Sequence, residues 1–501
     1  MAFETNKGRE LVKTGIPGFD DILGGGLTPD RVYLLEGDPG AGKTTLALQF
    51  MLQGAKRGET VLYVTLSETR IELEGIAASH GWSLDGVTVH DLLPPQEQLL
   101  ADAQSRMFHP SEVELSDTTR AILDQIQAIK PRRVVFDSLS EIRMLAQNAL
   151  RYRRQILALK QFFIGRDCTV LLLDDRTAAD NDLQLHSLAH GVVTMEHMAQ
   201  HYGAERRRLR VLKMRGKHFR GGWHDFTIRP GGLDVFPRLV AAEHVSNFKE
   251  PALKSGIGPL DALLGGGIDR GTSVLLLGPA GVGKSSFAMQ YAVAAAHSGE
   301  RAAVFVFDEN RATLVRRSAG IGMDVKGQLE SGRLRIQQVD PAELSPGEFA
   351  HIIKHSVQKD GTRLVVIDSL NGYLNAMPEE RFLQLHLHEL LTFLAQQGVV
   401  TFLLVAQHGM IGANMQTPVD ASYLADCVIV LRYFEAEAKL RRVISVLKKR
   451  SGAHEDALRE FRISESGLWV GEPLRRFHGV LAGVPSIMQE TRIEATQRDS
   501  R

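Results

Sequence analysis

Two lysines, each set in a glycine-rich nonapeptide, are the residues of this chain best equipped to do chemistry. The first lies in Gly37-Asp38-Pro39-Gly40-Ala41-Gly42-Lys43-Thr44-Thr45, the second in Gly278-Pro279-Ala280-Gly281-Val282-Gly283-Lys284-Ser285-Ser286. Both fit G-x-x-x-x-G-K-[ST], the pattern of a phosphate-binding loop. Glycines let successive backbone N–H groups curl around a phosphate, and a helix starting at the loop adds the positive end of its dipole. Lys43 and Lys284 can then reach the β- and γ-phosphates of ATP, and the hydroxyls of Thr44 and Ser285 can complete a Mg²⁺ shell. For a single loop, a glycine turn between strand and helix is the plainer reading. Here the second copy stands 241 residues on (37 to 278), and Gly24-Gly25-Gly26 recurs at the same displacement as Gly265-Gly266-Gly267. The chain therefore carries a duplicated nucleotide site.

Such a site needs a carboxylate at the end of a neighbouring buried strand, to hold the Mg²⁺ ion through its water shell. Asp137 and Asp368 answer to this, each after a run of apolar residues and each followed by Ser-Leu. A lone aspartate there would read as a helix cap. Its recurrence downstream of both loops favours the metal. A base must also activate the attacking water or hydroxyl. Ser67-Glu68 and Asp308-Glu309 end the strand that follows each loop helix, with Glu68 and Glu309 again 241 residues apart. A surface glutamate capping the next helix is the alternative.

The elements that must position these residues alternate. Apolar strands are expected at Val32 to Leu35, Thr60 to Leu66, Val87 to Leu92, Arg133 to Asp137 and Thr169 to Leu173. Between them, helices are expected at Leu46 to Gln53, Arg70 to Ser79, Asp117 to Ile129 and Tyr152 to Ile164. This order predicts an α/β fold with a mainly parallel sheet covered on both faces. Strands at Gly191 to Glu196, Arg207 to Met214 and Phe226 to Arg229 predict an antiparallel extension at one edge. The second half repeats the order, with Val304 to Phe307 read as the counterpart of Leu62 to Thr65 and Leu364 to Asp368 as that of the Asp137 strand. Cys427 to Arg432 and Arg442 to Lys448 match the edge strands. The polar stretch Pro94 to Ser116 is long enough for a functional loop. These limits give domains at 11–240 and 251–475, a linker at 241–250 and a mobile tail at 476–501.

With 501 residues, 44% hydrophobic and 24% charged, the chain has the composition of a soluble globular protein. Lys+Arg and Asp+Glu both number 59, so no global charge advertises nucleic acid or an acidic membrane. Cys168 and Cys427 read as buried thiols of a reducing compartment, and the N-terminus is too polar for a signal peptide. A cytoplasmic location is expected. His197 with His201, and His386 with His388, lack the cysteine or carboxylate that would complete a metal set. Arg206-Arg207-Arg208 reads as hairpin surface or subunit interface rather than a nucleic-acid patch.

From about Leu11 to Gly471 the chain resembles the KaiC-like family, two-domain RecA-superfamily ATPases and autokinases of the circadian clock. The likeness is carried by Thr14 to Gly26 and Ser255 to Gly267, both phosphate loops, Val134 to Leu139, Glu205 to Gly216 and Arg459-Glu460-Phe461. It implies tandem RecA-like P-loop domains in a homohexameric ring, with ATP between neighbouring subunits and regulatory or signalling proteins on the rings or tail. By the same resemblance, Lys213 and Arg215, with Lys448 and Arg450, reach the neighbour's phosphates. It implies Glu68 in the first domain and Asp308 with Glu309 in the second as catalytic, and Ser422 as the phosphoacceptor, with Thr417 as another. Three departures stand out. Ser67 replaces the first glutamate of the family's Glu-Glu pair and Asp308 replaces its counterpart. Tyr423 stands where the family has a threonine acceptor, and Ser451 replaces the glycine of Lys-x-Arg-Gly. Two other readings of the same loops are a DNA-acting RecA relative and a signalling scaffold gated by nucleotide.

Overall fold

Short runs of valine, leucine and phenylalanine with no polar alternation suit strands buried on both faces, and both halves of the chain are built on such strands. The computed structural model describes residues 10–91, 120, 122–146, 148–176, 183–200, 202–375, 382–407, 423–475, 477–480 and 486–487. The chain divides into two units, the first ending at Arg238 and the second beginning at Leu239.

The first unit carries β1 (Val32–Gly37), β2 (Val61–Thr65), β3 (Val87–Asp91), β4 (Arg133–Asp137), β5 (Thr169–Asp175), β6 (Gly191–Met198), β7 (Arg206–Met214), β8 (His224–Arg229) and β9 (Gly232–Phe236). They form one nine-stranded sheet in the order β3-β2-β4-β5-β1-β6-β7-β8-β9. Pairing is parallel from β3 through β6 and antiparallel from β6 through β9. The second unit repeats this with β10 (Ser273–Gly278), β11 (Arg301–Val306), β12 (Leu334–Gln338), β13 (Thr362–Asp368), β14 (Val400–Ala406), β15 (Cys427–Ala436), β16 (Lys439–Lys449), β17 (Arg459–Ser464) and β18 (Gly467–Pro473). The expected α/β class with an antiparallel edge is thus the observed one. Each sheet has an apolar cluster on either face, one including the helix that leaves the phosphate loop.

The structure corrects several boundaries. Strand β9, and the helices Leu139–Ala146 and Leu183–Leu188, were not expected from sequence. The repeat keeps its 241-residue displacement at β11, one residue off the pairing expected from sequence: Leu66 and Phe307 donate equivalent N–H groups to Asp137 and Asp368, at 2.7 Å each. Tyr63 therefore corresponds to Val304, whereas the sequence reading matched Leu62 to it. In an all-apolar strand no alternation marks the face, so nothing in the pattern distinguishes a pairing that is one residue out. His197 lies on strand β6, not a helix, so helical spacing to position 201 does not apply.

The segment read as a linker packs on the second unit. The Ala241 N–H donates to Glu389 Oε2 at 3.1 Å, and Ser246 Oγ donates to the Gln396 carbonyl at 2.9 Å. Within the stretch read as a tail, Phe477–His478 pairs with Ser486–Ile487, and Val480 is buried beside Phe434 and Val443. Pro94 to Ser116 and the rest of the tail lie outside the described residues. Among the described residues no helix is long and apolar enough to cross a membrane.

His224 illustrates how the antiparallel edge is held. It is buried on β8, where Nδ1 accepts the Arg238 N–H at 2.8 Å and Nε2 lies 3.0 Å from the Arg220 carbonyl. Both contacts suit a neutral ring. Burial pushes its pKa from 6.5 down to about 4. The unfolded chain therefore binds this proton more readily, and the stabilisation present above pH 6.5 is lost as pH falls toward 4. Urea titrations of the first unit should show a falling midpoint between about pH 6.5 and about pH 4, and His224→Gln should flatten that dependence. An unchanged slope in the variant would remove His224 from the account.

Candidate functional site

Strand β1 ends at Gly37, and the loop after it turns through Gly42 at φ +95°, a left-handed conformation favouring glycine. A Cβ there would also lie 2.6 Å from the Ile228 side chain of β8. Gly283 matches it, with φ +111° and Ile463 2.4 Å from the same ideal position. Each glycine caps a helix that begins on the lysine, Lys43–Lys56 and Lys284–His297. The backbone N–H groups of the first turn are thereby left for an anion.

Lys43 is 7% exposed. Its Nζ donates to the carbonyls of Gly37 at 3.0 Å and Asp38 at 2.9 Å, and pairs with Asp175 at 2.7 Å. Lys284 Nζ donates to the carbonyls of Gly278 and Pro279, both at 2.8 Å. Burial pushes the Lys284 ammonium down to about 8, opposed by Asp368. Thr44 Oγ1 donates to Asp137 Oδ2 at 3.0 Å, and the Tyr63 hydroxyl donates to the same oxygen at 2.5 Å. Burial raises the Asp137 pKa, while the Tyr63 and Thr44 hydroxyls and Lys43 act against it. Asp368 is raised by burial too, opposed first by its hydrogen bond from Ser285.

A carboxylate removed from water beside a hydroxyl and a phosphate loop is a donor set for a hard divalent cation. Mg²⁺ takes one or two protein oxygens, with phosphates and water completing its octahedron. Thr44 with Asp137, and Ser285 with Asp368, fit that ion in type and juxtaposition.

The two candidate bases are placed differently. Glu68 precedes the helix Arg70–Ser79, whose start is held by a reciprocal Thr69–Glu72 capping box. Burial pushes the Glu68 pKa up to about 7, with Asp137 and Glu72 adding to the rise. Its buried Oε2 has no hydrogen-bond partner among the described residues. In the second unit Asp308 accepts a hydrogen bond from the Ser369 hydroxyl. Glu309 accepts one from Arg317 at 2.7 Å.

Lys213 and Lys448 sit at matching places near the ends of β7 and β16, opposite Val192 and Val428. Lys213 donates to the carbonyls of His186 and of Ala189, the latter at 2.9 Å, and Arg215 donates to Ser187 O at 2.8 Å. Lys448 donates to Ala425 O at 2.8 Å, while Arg450 pairs with Asp426 at 3.2 Å and donates to Tyr423 O at 3.3 Å. All four cations thus rest on carbonyls or a carboxylate at the start of the antiparallel edge. Ser422 and Thr417 lie outside the described residues, and the neighbouring Tyr423 is exposed. Arg208 binds Glu196 at 2.8 Å and Arg207 binds Glu205 at 2.6 Å, so part of the arginine run is neutralised within its hairpin.

Sequence reasoning missed Tyr63 and Asp175. A tyrosine inside an apolar strand reads as core. Asp174-Asp175, however, ends an apolar run as Asp137 does, and that signal was available.

A family model described as ATPase, KaiC matches residues 12–240 and again 253–475. The chain is similar over 503 residues, at 27% identity, to circadian clock protein KaiC3 of Synechocystis sp., covering 99% of this chain and 98% of that protein. It is 28% identical to the circadian clock oscillator protein KaiC of Synechococcus elongatus over 485 residues, 95% of this chain and 92% of the relative. The KaiC protein of Thermosynechococcus vestitus gives the same identity over 484 residues, with the same coverage. With the family model matched twice and both phosphate loops built alike, this chain belongs to the KaiC family of ATPases.

Proposed function

We propose that the first domain (11–240) hydrolyses ATP and that the second (251–475) transfers the γ-phosphoryl group to its own chain, at Ser422 or Thr417. The observation that carries this reading is the duplicated pairing of a loop hydroxyl with a strand-end carboxylate, Thr44 with the buried Asp137 and Ser285 with the half-buried Asp368. Mg²⁺ bound at such a pair neutralises charge on the phosphate oxygens. Lys43 and Lys284 hold the β- and γ-phosphates, leaving the loop N–H groups to fix the chain of phosphates in place. In the first domain Glu68 takes the proton of the attacking water as the bond from that oxygen to phosphorus forms and the bond to ADP breaks. A carboxylate whose pKa is pushed up to about 7 is suited to this. In the second domain Asp308 or Glu309 takes the proton of the acceptor hydroxyl instead.

The chain assembles as a homohexamer in this reading. Lys213 and Arg215, and Lys448 and Arg450, then approach the neighbour's phosphates and stabilise the charge of transfer. Regulatory or signalling proteins bind the rings or the tail. The relatives' names as circadian clock proteins support a role in timing or signalling. The equal numbers of acidic and basic residues weigh against a DNA-acting role.

The reading is tested by incubating the full chain with ATP and Mg²⁺, then measuring ADP and mapping phosphopeptides. Glu68→Gln should lower ADP production by the first domain about 10²-fold and leave the phosphopeptide in place. Replacing Asp308 and Glu309 together by Asn and Gln should remove the phosphopeptide. A wild-type chain carrying no phosphate on residues 410–430 would reduce the protein to an ATPase.

A further inference from the structure

The two sites differ where the neighbouring strand ends beside the lysine. In the first unit Gly37 of β1 lies opposite Asp175 of β5; in the second, Gly278 of β10 lies opposite Ala406 of β14. The next residues, Arg176 and Gln407, donate their N–H groups to the Gly37 and Gly278 carbonyls at 3.1 Å in both cases. Asp175 and Ala406 therefore occupy the same place, one with a charge and one without.

That place matters because an ammonium has three N–H donors. Lys43 directs them to two loop carbonyls and the Asp175 carboxylate. Lys284 directs two to loop carbonyls, and no carboxylate lies within ion-pair distance among the described residues. Asp175 is not loosely placed. Its N–H donates to Ser140 Oγ at 3.3 Å, and the same hydroxyl lies 3.4 Å from Asp175 Oδ2. The second site has Asn371 on the corresponding helix, bonded to the backbone of Ala406 at 3.0 and 2.9 Å.

We propose that Asp175 is an affinity-setting residue of the first site, an internal competitor that engages Lys43 through the donor a nucleotide phosphate needs. The proposal rests on the reading that Lys43 and Lys284 bind the phosphates of ATP. A nucleotide entering the first site must displace the carboxylate from Lys43 or share the lysine with it. In either case a fixed negative charge stands beside the phosphates. Both effects weaken binding and speed release of ADP, and Ala406 imposes neither on the second site. The first site is thereby the one that turns its nucleotide over, and the second the one that retains it.

The test is equilibrium titration of the full-length chain with a fluorescent N-methylanthraniloyl ADP, a readout independent of turnover. The first site is isolated in a Lys284→Ala background and the second in a Lys43→Ala background. Adding Asp175→Ala to the first background should tighten binding about tenfold, on the scale of one partly buried charged hydrogen bond. Asp175→Asn keeps the shape and the Ser140 contact without the charge, and should act in the same direction. The reverse change, Ala406→Asp in the second background, should loosen binding by a similar factor. Unchanged or weaker binding in the Asp175 variants, or an unaffected Ala406→Asp site, would overturn the proposal. Should Asp175→Ala fail to fold, as judged by its melting transition, Asp175→Asn and Ala406→Asp decide the matter. If the Lys284→Ala reference itself binds no ADP analogue, the phosphate reading of Lys43 fails first, and the proposal falls with it.

Discussion

Replacing Lys43 and Lys284 together by alanine is expected to abolish retention of ATP and to lower its hydrolysis by about two to three orders of magnitude at each site. Each ammonium is buried in its loop, at 7% and 9% exposure, where a charge acts with little screening from water. Nothing else within the loop residues themselves carries positive charge, since Thr44, Thr45, Ser285 and Ser286 are the only other side chains there with donors. The backbone N–H groups alone would hold a phosphate weakly. Single replacements should leave the other domain working, so the two losses can be separated. The check is nucleotide content after desalting, followed by ADP production, with circular dichroism melting as a control for folding. Retained ATP and undiminished turnover in a folded double variant would leave both glycine loops as mere turns.

Arg133→Ala should destabilise the first unit by about 2–5 kcal/mol, the cost of removing a large buried side chain and leaving the carbonyls it serves without their donor; Glu59, a quarter exposed, keeps Arg57 at 3.5 Å. Arg133 opens β4 and is fully buried. Its Nε and Nη2 meet the two oxygens of Glu59 at 2.5 and 3.1 Å, while Nη1 donates to the carbonyls of Lys13 and Phe50, both at 2.8 Å. The guanidinium also lies 4.7 Å above the Phe50 ring. One side chain thus joins β4, the turn before β2, the loop helix and the opening segment of the domain. Lysine is no substitute, because a point charge cannot serve four acceptors in a plane. Trp82 and Trp223 lie in the first unit, so their fluorescence in urea, with Trp469→Phe to silence the second, reports the loss. A shift under about 1 kcal/mol would place the arginine among the surface pairs that contribute little.

The second unit reaches the same end by another route. Glu300, the counterpart of Glu59, is held by Arg270 from the turn before β10, at 2.9 and 2.5 Å. Leu364 stands on β13 where Arg133 stands on β4, paired with Ala302 as Arg133 pairs with Val61, so that place supplies no guanidinium. A duplicated chain can thus keep a bond while changing the segment that supplies it. Linear comparison does not reveal this, because Arg133 and Arg270 share no position in the repeat.

The two glycine-lysine turns and the helices they start were legible because their requirement is local. A tight turn, a helix start and a cation must fall within nine residues, and only glycines at fixed spacing allow it. The Asp137 and Asp368 strands were legible for a similar reason, a buried apolar run closing on a carboxylate. Less was visible where the repeat changes its displacement. Gly37 and Gly278 are 241 residues apart, but Asp137 and Asp368 are 231 apart, as are Asp175 and Ala406. Tyr63 was hidden for a different reason: its strand keeps the 241-residue displacement, but a tyrosine among apolar residues looks like any other part of the core.

The chain's own order of residues determined the two-fold repeat, the parallel sheets with their antiparallel edges, and where each glycine loop stands at a strand's end. These follow from local turn chemistry and from apolar runs that have no alternative to burial. Which carboxylate stands against which lysine was decided only by tertiary structure. That choice depends on strand register, and register is set by hydrogen bonds between segments far apart in the chain, such as Arg176 with Gly37 and Leu66 with Asp137.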